Sequence, residues 1–257
     1  MYLYLYDTAL KQRQYDRVVS NLETQLTDLG IVGKIVRLSS LLSPRQIISE
    51  EIRRSKELKT VIIVGDDTCF TKIIQQSADL PITFGWVPVG PKLDLATRLG
   101  LPFGAASAPV LSRRRVLPID VGQFNQYFFI DYCHVPLSTV TMSLNGSMTI
   151  SATAQKMECS IWNVPPTNRG LMPPGYSPVL NDRQFEIVLQ PIAKRSIFGS
   201  TMAPASIFPF NEVRLKLEKT MSVELDGHLY KENQIVIKLA PFQLKLIVSR
   251  LPDSLQM

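Results

Sequence analysis

Two neighbouring acidic residues can do chemistry, because carboxylates hold metal ions and take protons. Asp66 and Asp67 follow a run of apolar, largely β-branched residues in the stretch TVIIVGDDTCF at 60–70. In an open α/β sheet, nucleotides and metal ions bind where a strand ends in such a turn. Asp66 is therefore a candidate ligand for a hard cation such as Mg²⁺, which prefers oxygen. The alternative is that both acids only cap a helix that starts near Thr68, where negative charge is favoured.

A third carboxylate, Asp226, precedes Gly227 between two apolar residues, Leu225 and Leu229. A positioned carboxylate can act as a general base toward a hydroxyl group. Asp-Gly is also a common turn sequence, because both residues tolerate a left-handed backbone. The sequence alone leaves the catalytic role and the turn open.

Other charged residues have simpler interpretations. His134 and His228 are the only histidines, and neither has a second metal ligand at useful spacing, so we expect no metal site on them. Asp94 and Arg98 are spaced i, i+4 and predict an ion pair on a helix. The triple arginine at 113–115 could touch phosphates of a nucleotide or a lipid, or form a solvated bend.

Composition bounds the class of protein. The chain has 257 residues, of which 45% are hydrophobic and 19% charged, which predicts a folded globular protein of one large or two modest domains. The formal charge of +6 fits contact with phosphates, an anionic membrane surface, or an ordinary basic protein. No nucleic-acid-binding motif accompanies these charges, so we expect no nucleic-acid partner.

Cysteine use and the N-terminus give an expected location. The three cysteines are Cys69, Cys133 and Cys159, which are widely spaced and odd in number, so neither a zinc site nor a disulfide framework is predicted. The first residues lack a secretory signal pattern, and no apolar run reaches the ~20 residues of a membrane-spanning helix. We expect a cytoplasmic protein, with peripheral contact at the inner membrane face and homodimerisation left open.

The elements that must position these residues alternate between strand and helix up to about residue 118. Four apolar strands are predicted at 2–7, 32–38, 60–65 and 82–90. Helices are predicted between them, the second with Ser43 as its N-cap and Pro44 at its first position. Strand–helix alternation of this kind predicts a mostly parallel sheet.

The pattern changes after residue 118. Apolar and polar residues then alternate with period two, which predicts antiparallel strands with one solvated face. A hairpin is predicted around Asn145-Gly146 within 138–154, and a long loop at 163–178. The predicted later strands are 183–192, 212–219, 221–230, 233–240 and 242–250. We therefore predict an α/β domain at 1–118 and an antiparallel β domain at 119–257, the closing strands being candidates to return to the first domain.

Three segments in order resemble a known family. They are VIIVGDDT at 61–68, FGWVPVGPKLDLATRLGLP at 84–102 and SVELDGHL at 222–229. The set is similar to the diacylglycerol kinase and sphingosine kinase superfamily, in its bacterial branch. At the corresponding places, members of that family carry the motifs Gly-Gly-Asp-Gly-Thr, Pro-x-Gly-Thr-x-Asn-Asp and, late in the chain, Asp-Gly-Glu. The stretches at 114–130 and 157–189 are also similar to family segments. The resemblance implies a mostly parallel α/β domain, of the NAD-kinase and diacylglycerol-kinase kind, followed by an antiparallel β-sandwich.

The resemblance also implies a site. A working family member would need ATP and Mg²⁺, with Asp66 at the metal and Asp226 as the general base. Its partners would be a nucleotide and a lipid head group. The nucleotide would contact two loops, through the residues Gly65, Asp66, Asp67, Thr68, Gly90, Lys92 and Asp94.

The motifs depart from the family pattern at several positions. In the first loop, Asp67 replaces a glycine whose small size would bring backbone N–H groups to the phosphates. In the second loop, Pro91 replaces the threonine and has neither hydroxyl nor N–H, while Leu93 replaces an asparagine. His228 replaces the glutamate of Asp-Gly-Glu.

A family Asp-Asp-Gly turn, linked in some bacterial members to a structural Mg²⁺, reads Asn181-Asp182-Arg183, and an arginine would repel a cation. The Asn-Pro and Gly-rich turn of the family is also missing after the first strand. Two functions therefore stay open: ATP-dependent phosphoryl transfer to a lipid hydroxyl, or a catalytically inactive relative, a pseudokinase that acts as a binding or regulatory module.

Overall fold

A computed structural model describes residues 1–39, 41–55, 57–137, 140–152, 157–168, 172–191 and 205–249. Parts of the predicted hairpin at 138–154 and of the predicted loop at 163–178 lie outside these ranges. The chain divides into two units. The first unit is Met1–Ile119 together with Phe242–Met257, and the second unit is Asp120–Pro241.

The first unit alternates strands and helices, as the sequence predicts. Its elements are β1 Tyr2–Tyr6, α1 Asp16–Asp28, β2 Lys34–Arg37, α2 Pro44–Arg54, β3 Thr60–Gly65, α3 Asp67–Ser77, β4 Thr83–Pro88, α4 Asp94–Arg98 and α5 Ala108–Arg113. Short 3-10 helices span Thr8–Lys11, Arg13–Tyr15 and Gly104–Ser107. The strands are parallel in the order β4–β3–β1–β2. The predicted mostly parallel sheet is confirmed.

Hydrophobic burial explains why β3 lies in the middle of this sheet. All six residues of β3 are buried. A strand covered on both faces needs apolar residues nearly throughout, without the polar alternation of a strand that has one solvated face. On one face of the sheet, α1 contributes Val19, Leu22 and Leu26 to the core. Ser43 caps α2 through its side chain and Pro44 occupies the first turn, as predicted. The packing of the sheet and its helices therefore fixes the position of the carboxyl end of β3, which Asp66 directly follows.

The second unit is built from antiparallel strands. After β5 Val116–Phe124, which begins in the first unit, the strands are β6 Tyr127–Phe129, β7 Tyr132–Leu137, β8 Val140–Leu144, β9 Met148–Ala152, β10 Met157–Trp162, β11 Phe185–Pro191, β12 Ser206–Phe210, β13 Glu212–Leu225 and β14 His228–Ile247. Neighbours pair in the order β12–β11–β10–β7–β13–β14, and the β8–β9 hairpin adds to β13. The antiparallel prediction is confirmed, and one apolar core collects the inward residues of these strands.

Two strands are longer than the sequence predicts. The predicted strands 212–219 and 221–230 are not separate: β13 runs through both as far as Leu225, and the last residues of the second belong to β14. The register of β13 against β14 shifts between Lys216 and Met221. That shift lets β13 pair with β8 before it and with β7 after it. The predicted strands 233–240 and 242–250 are likewise continuous in β14 up to Ile247. The prediction was wrong here because no residue in these runs breaks a strand strongly enough, and Pro241 is tolerated within β14.

The end of β14 belongs to the first unit. There Lys245 and Leu246 pair in parallel with Thr83 and Phe84 of β4. No helix in the part of the chain that the structure describes combines the length and the apolar character that crossing a bilayer requires.

Candidate functional site

The loop after β3 is held tightly by its own neighbours. The carbonyl of Gly65 accepts the indole N–H of Trp86 at 2.9 Å and the backbone N–H of Val89 at 3.1 Å. A side chain at Gly65 would meet Cys69 and Asp7 at about 3 Å, so the position needs glycine. The Trp86 ring stacks on Phe70 with centroids 3.9 Å apart, which fixes the start of α3. Gly65 is thus a packing glycine whose carbonyl already has donors.

Asp66 is the N-cap residue of α3. Its Oδ1 accepts the backbone N–H of Cys69 at 3.0 Å, so the predicted cap is present at Asp66, one of the two acids for which the sequence offered it. The backbone of Gly90 lies against it: a Cβ at Gly90 would come 2.6 Å from the Asp66 Cβ. The two loops predicted to contact a nucleotide therefore meet at Asp66 and Gly90. Thr68 lies in the first turn of α3 beside them.

Asp67 joins the two loops directly. Its carboxylate oxygens accept the backbone N–H groups of Leu95 at 2.9 Å and Ala96 at 3.3 Å, in the first turn of α4. Its own N–H donates to the carbonyl of Lys92 at 2.9 Å. Burial raises the pKa of Asp67, and the N–H donors oppose that rise. Asp67 is therefore an internal hydrogen-bond acceptor between the two loops.

Asp94 lies in the same turn of α4 but faces solvent. Its side chain is 62% exposed and pairs with Arg98 at 2.8 Å, the predicted i, i+4 ion pair. Asp94 and Asp67 are thus close in the fold and different in role. The carboxylate of Asp67 connects one loop to the other.

A pocket of about 950 Å³ with several charged side chains in its lining, which we call the polar pocket, opens beside these loops in the first unit. Its charged side chains are Asp7, Asp66, Lys72 and Lys92, and Thr68 also lines it. Asp7 and Lys72 were missed from the sequence. Asp7 had a signal, because it directly follows β1, whose carboxyl end lies beside that of β3. The size suits a small anionic molecule that two lysines could meet.

The fit of these residues to Mg²⁺ and a triphosphate is poor. Mg²⁺ takes six oxygens in a near-octahedral arrangement. Within the described ranges, no three His, Cys, Asp or Glu side chains group as a metal site would need. Asp66 and Asp7 each use one carboxylate oxygen on a nearby backbone N–H, and Asp67 uses both oxygens on α4. Asp66 could contact a metal ion through one remaining oxygen.

In the second unit, Asp226 forms the turn between β13 and β14 with a left-handed backbone (φ +48°), which confirms the predicted turn. Its carboxylate accepts three backbone N–H groups at 2.9–3.0 Å, those of Ile130, Asp131 and Tyr132. The residue is 7% exposed. Burial and the neighbouring Asp131 carboxylate raise the pKa of Asp226 to about 7, against the three donors. This carboxylate organises the segment before β7.

Arg183 completes a second buried network that the sequence did not reveal. Its guanidinium pairs with Asp120 at 3.1 Å and donates to the carbonyl of Ala240 at 2.7 Å, while its backbone N–H reaches the other Asp120 oxygen at 2.7 Å. Asp120 is fully buried. The arginine of the Asn181-Asp182-Arg183 turn therefore supplies a fixed positive charge to a buried carboxylate.

Comparison with known proteins gives a fold. No protein-family model matches the sequence, and no curated protein matches it significantly. Among solved structures, one described as "a putative diacylglycerol kinase" from Bacillus anthracis str. Sterne superposes with a TM-score of 0.74 at 15% identity, covering 96% of this chain and 97% of that one. Two further structures from the same strain, described in the same terms or as diacylglycerol kinases, give TM-scores of 0.75 and 0.73 at 14% identity, covering 96% of each chain. The chain has the diacylglycerol kinase-like fold.

Proposed function

We propose that this lipid kinase-like chain is a pseudokinase: it has lost phosphoryl transfer and acts as a binding or regulatory module through the polar pocket of the first unit. The observation that carries the proposal is the position of Asp67. Both of its carboxylate oxygens accept N–H groups of α4, where a family member has a glycine. A phosphate brought to this loop would meet a fixed carboxylate.

The electrostatics support the same conclusion. Phosphoryl transfer depends on positioning and on positive charge around the transferred group. Here Asp66 and Asp67 follow each other in the loop, and the charge of Asp66 also raises the pKa of Asp67. Pro91 removes one further N–H donor from the second loop. The loop thus favours its own internal hydrogen bonds over an incoming triphosphate.

The surroundings of Asp226, the expected general base, also support the loss of phosphoryl transfer. A general base must have a carboxylate oxygen within reach of the proton that it takes. The Asp226 oxygens accept three backbone N–H groups instead, and freeing one would leave buried donors unsatisfied, at a cost of about 1–3 kcal/mol each. The arrangement is that of a structural turn.

The second candidate is an active ATP-dependent lipid kinase. The polar pocket favours it, because Asp66, Thr68 and two lysines converge on a space of about 950 Å³. In that case Asp66 and Asp7 would hold Mg²⁺, which would offset phosphate charge, and Lys72 and Lys92 would meet the phosphates. The lipid head group would be the acceptor, with peripheral contact at a membrane surface and a cytoplasmic location.

One experiment separates the two candidates. The full chain is incubated with Mg-ATP labelled at the γ-phosphate and with vesicles of mixed diacylglycerol, ceramide and phospholipid. The proposal expects no label in the lipid fraction above the no-protein level. Label that appears there and disappears in Asp66→Asn would establish the kinase and overturn the proposal.

Binding is measured separately by the melting temperature. A ligand at 100 times its dissociation constant adds ~2.7 kcal/mol to the folded state. We expect Mg-ATP at millimolar concentration to shift the wild type little, and Asp67→Gly, which restores the glycine, to respond more strongly. Lys72→Ala in the Asp67→Gly background is the control for binding in this pocket. A full shift in the wild type that Asp66→Asn removes would favour an intact nucleotide site.

A further inference from the structure

A second pocket lies in the first unit, on residues that the polar pocket does not use. It has a volume of about 430 Å³. Its walls come from the start of α1, the loop after β4 and the 3-10 helix Gly104–Ser107, and include Tyr15, Val18, Val89, Leu93 and Phe103. We call it the apolar pocket.

Its lining is free of charge among the described residues. None of the side chains that face it belongs to Asp, Glu, Lys, Arg or His. Tyr15 and Asn21 are its larger polar side chains, so a ligand would find one or two hydrogen-bonding groups. An ionised ligand would lose its hydration here without a compensating charge. The pocket therefore selects against phosphates, which the polar pocket could accept through Lys72 and Lys92.

Small residues form one wall of the apolar pocket. Gly104 has a left-handed backbone (φ +55°), and a Cβ there would come 3.1 Å from Val18 Cγ1. Ala105 and Ala106 continue this wall with single methyl groups. The turn is braced by Ser107, whose hydroxyl donates to the carbonyl of Pro102 at 2.6 Å. This wall is therefore formed by backbone and single methyl groups, held in place by the packing of Gly104 on Val18.

An aromatic side chain stands at its edge. Phe103 is 48% exposed although it is large and apolar. Exposed apolar surface at the mouth of a cavity commonly marks a ligand site. The volume is at the lower end of small-molecule pockets, which run from about 300 to 1,000 Å³. It is too small for a folded partner.

We propose that the apolar pocket binds a neutral, mainly apolar small molecule, of the size of a two-ring aromatic compound or a medium-length acyl chain. Phe103 and Tyr15 contact its apolar body, and Asn21 or the Tyr15 hydroxyl meets its single polar group. The proposal does not rest on the loss of phosphoryl transfer, although Gly90 in the lining also belongs to the second predicted nucleotide loop.

The test uses N-phenyl-1-naphthylamine, a neutral dye that fluoresces in apolar surroundings, with the full-length chain. We expect saturable fluorescence with one dye per chain. Ala105→Phe should weaken binding by about tenfold or more, because a phenyl ring fills much of the cavity. Phe103→Ala should weaken it by about threefold to tenfold, and it removes a half-exposed side chain, so folding is retained.

Matched controls make the outcome decisive. Val32→Ala removes exposed apolar surface of the same unit (59% exposed) outside the pocket and should leave dye affinity unchanged. Mg-ATP should not displace the dye, whereas naphthalene or decanol should. Stronger competition by naphthalene would indicate an aromatic ligand, and stronger competition by decanol would indicate an acyl chain. No saturable fluorescence, or equal affinity in wild type, Ala105→Phe and Phe103→Ala, would overturn the proposal.

Discussion

The carboxylate of Asp67 accepts the backbone N–H of Leu95 at 2.9 Å and so joins the loop after β3 to the first turn of α4, 28 residues further along the chain. With the bond from Ala96 and the bond from Asp67 N–H to Lys92, the two loops form one hydrogen-bonded block. A glycine at this position could make only the backbone bond. The carboxylate of Asp67 therefore adds the bonds that tie the loop after β3 to α4.

Replacing Asp67 with alanine should therefore destabilise the fold. Two half-buried N–H groups of α4 lose their acceptor, and we expect the free energy of unfolding to fall by about 1–3 kcal/mol. Urea denaturation followed by tryptophan fluorescence measures it, because Trp86 lies on the same block. Asp94→Ala, which removes an exposed carboxylate from the same helix turn, should cost less than about 1 kcal/mol. Equal losses in both variants would contradict the role given to Asp67.

Gly90 should tolerate no side chain. Its backbone is left-handed (φ +141°), and a Cβ would come 2.6 Å from that of Asp66, so Gly90→Ala must move the N-cap of α3. Gly100→Ala is the matched control, since Gly100 also has positive φ (+65°) but nothing within 4 Å of a new Cβ. We expect Gly100→Ala to cost about 1–2 kcal/mol and Gly90→Ala clearly more, by thermal denaturation. The same loss in both would mean that the contact with Asp66 is unimportant.

Asp226 should titrate near neutral pH. Its pKa is raised from 3.8 to about 7, first by burial and then by Asp131. Because the pKa of Asp226 is higher in the folded state than in the unfolded state, its protonation stabilises the fold. This contribution to the free energy of unfolding is complete below about pH 4 and is lost as the pH rises through about 7. The amide resonances of Ile130, Asp131 and Tyr132, which donate to the carboxylate, should shift together with one midpoint in an NMR titration.

Asp131→Asn tests the second cause of that shift, the charge of Asp131. It removes the neighbouring negative charge, so the common midpoint should move to lower pH while the three donors stay in place. Midpoints near 4 in the wild type, or no change in Asp131→Asn, would refute this account of the Asp226 carboxylate.

Arg183 should matter far more than an ordinary surface arginine. Arg183→Ala leaves the buried Asp120 carboxylate without its guanidinium, and we expect a loss of about 2–4 kcal/mol, less than for a fully buried pair because Arg183 is 39% exposed. Arg183→Lys should recover part of it, since a lysine restores the charge but not the fork of donors. The control is Arg214→Ala, whose pair with Glu212 is exposed on both sides and should contribute under about 1 kcal/mol. Thermal unfolding of the three variants gives the order.

Local signals were sufficient for the order of elements and for two features of the site. The change from helical to two-residue periodicity predicted a parallel layer followed by antiparallel strands. The cap at Asp66 and the turn at Asp226 were also predicted, because each depends on residues within a few positions. The lengths of β13 and β14 were not predicted. A strand continues as long as a neighbouring strand offers hydrogen bonds, and the sequence does not show which strands are neighbours.

The partners of the acids were decided only by the tertiary structure. Asp67 meets Leu95, Asp226 meets Ile130 and Arg183 meets Asp120, at separations of 28, 96 and 63 residues. Periodicity and turn rules describe neighbours along the chain, whereas these contacts arise from where the strands place their ends. The sequence by itself identified the acidic and basic residues of these turns, and only the fold showed that each is held by a partner far away along the chain, because strand ends that are distant in sequence meet in space.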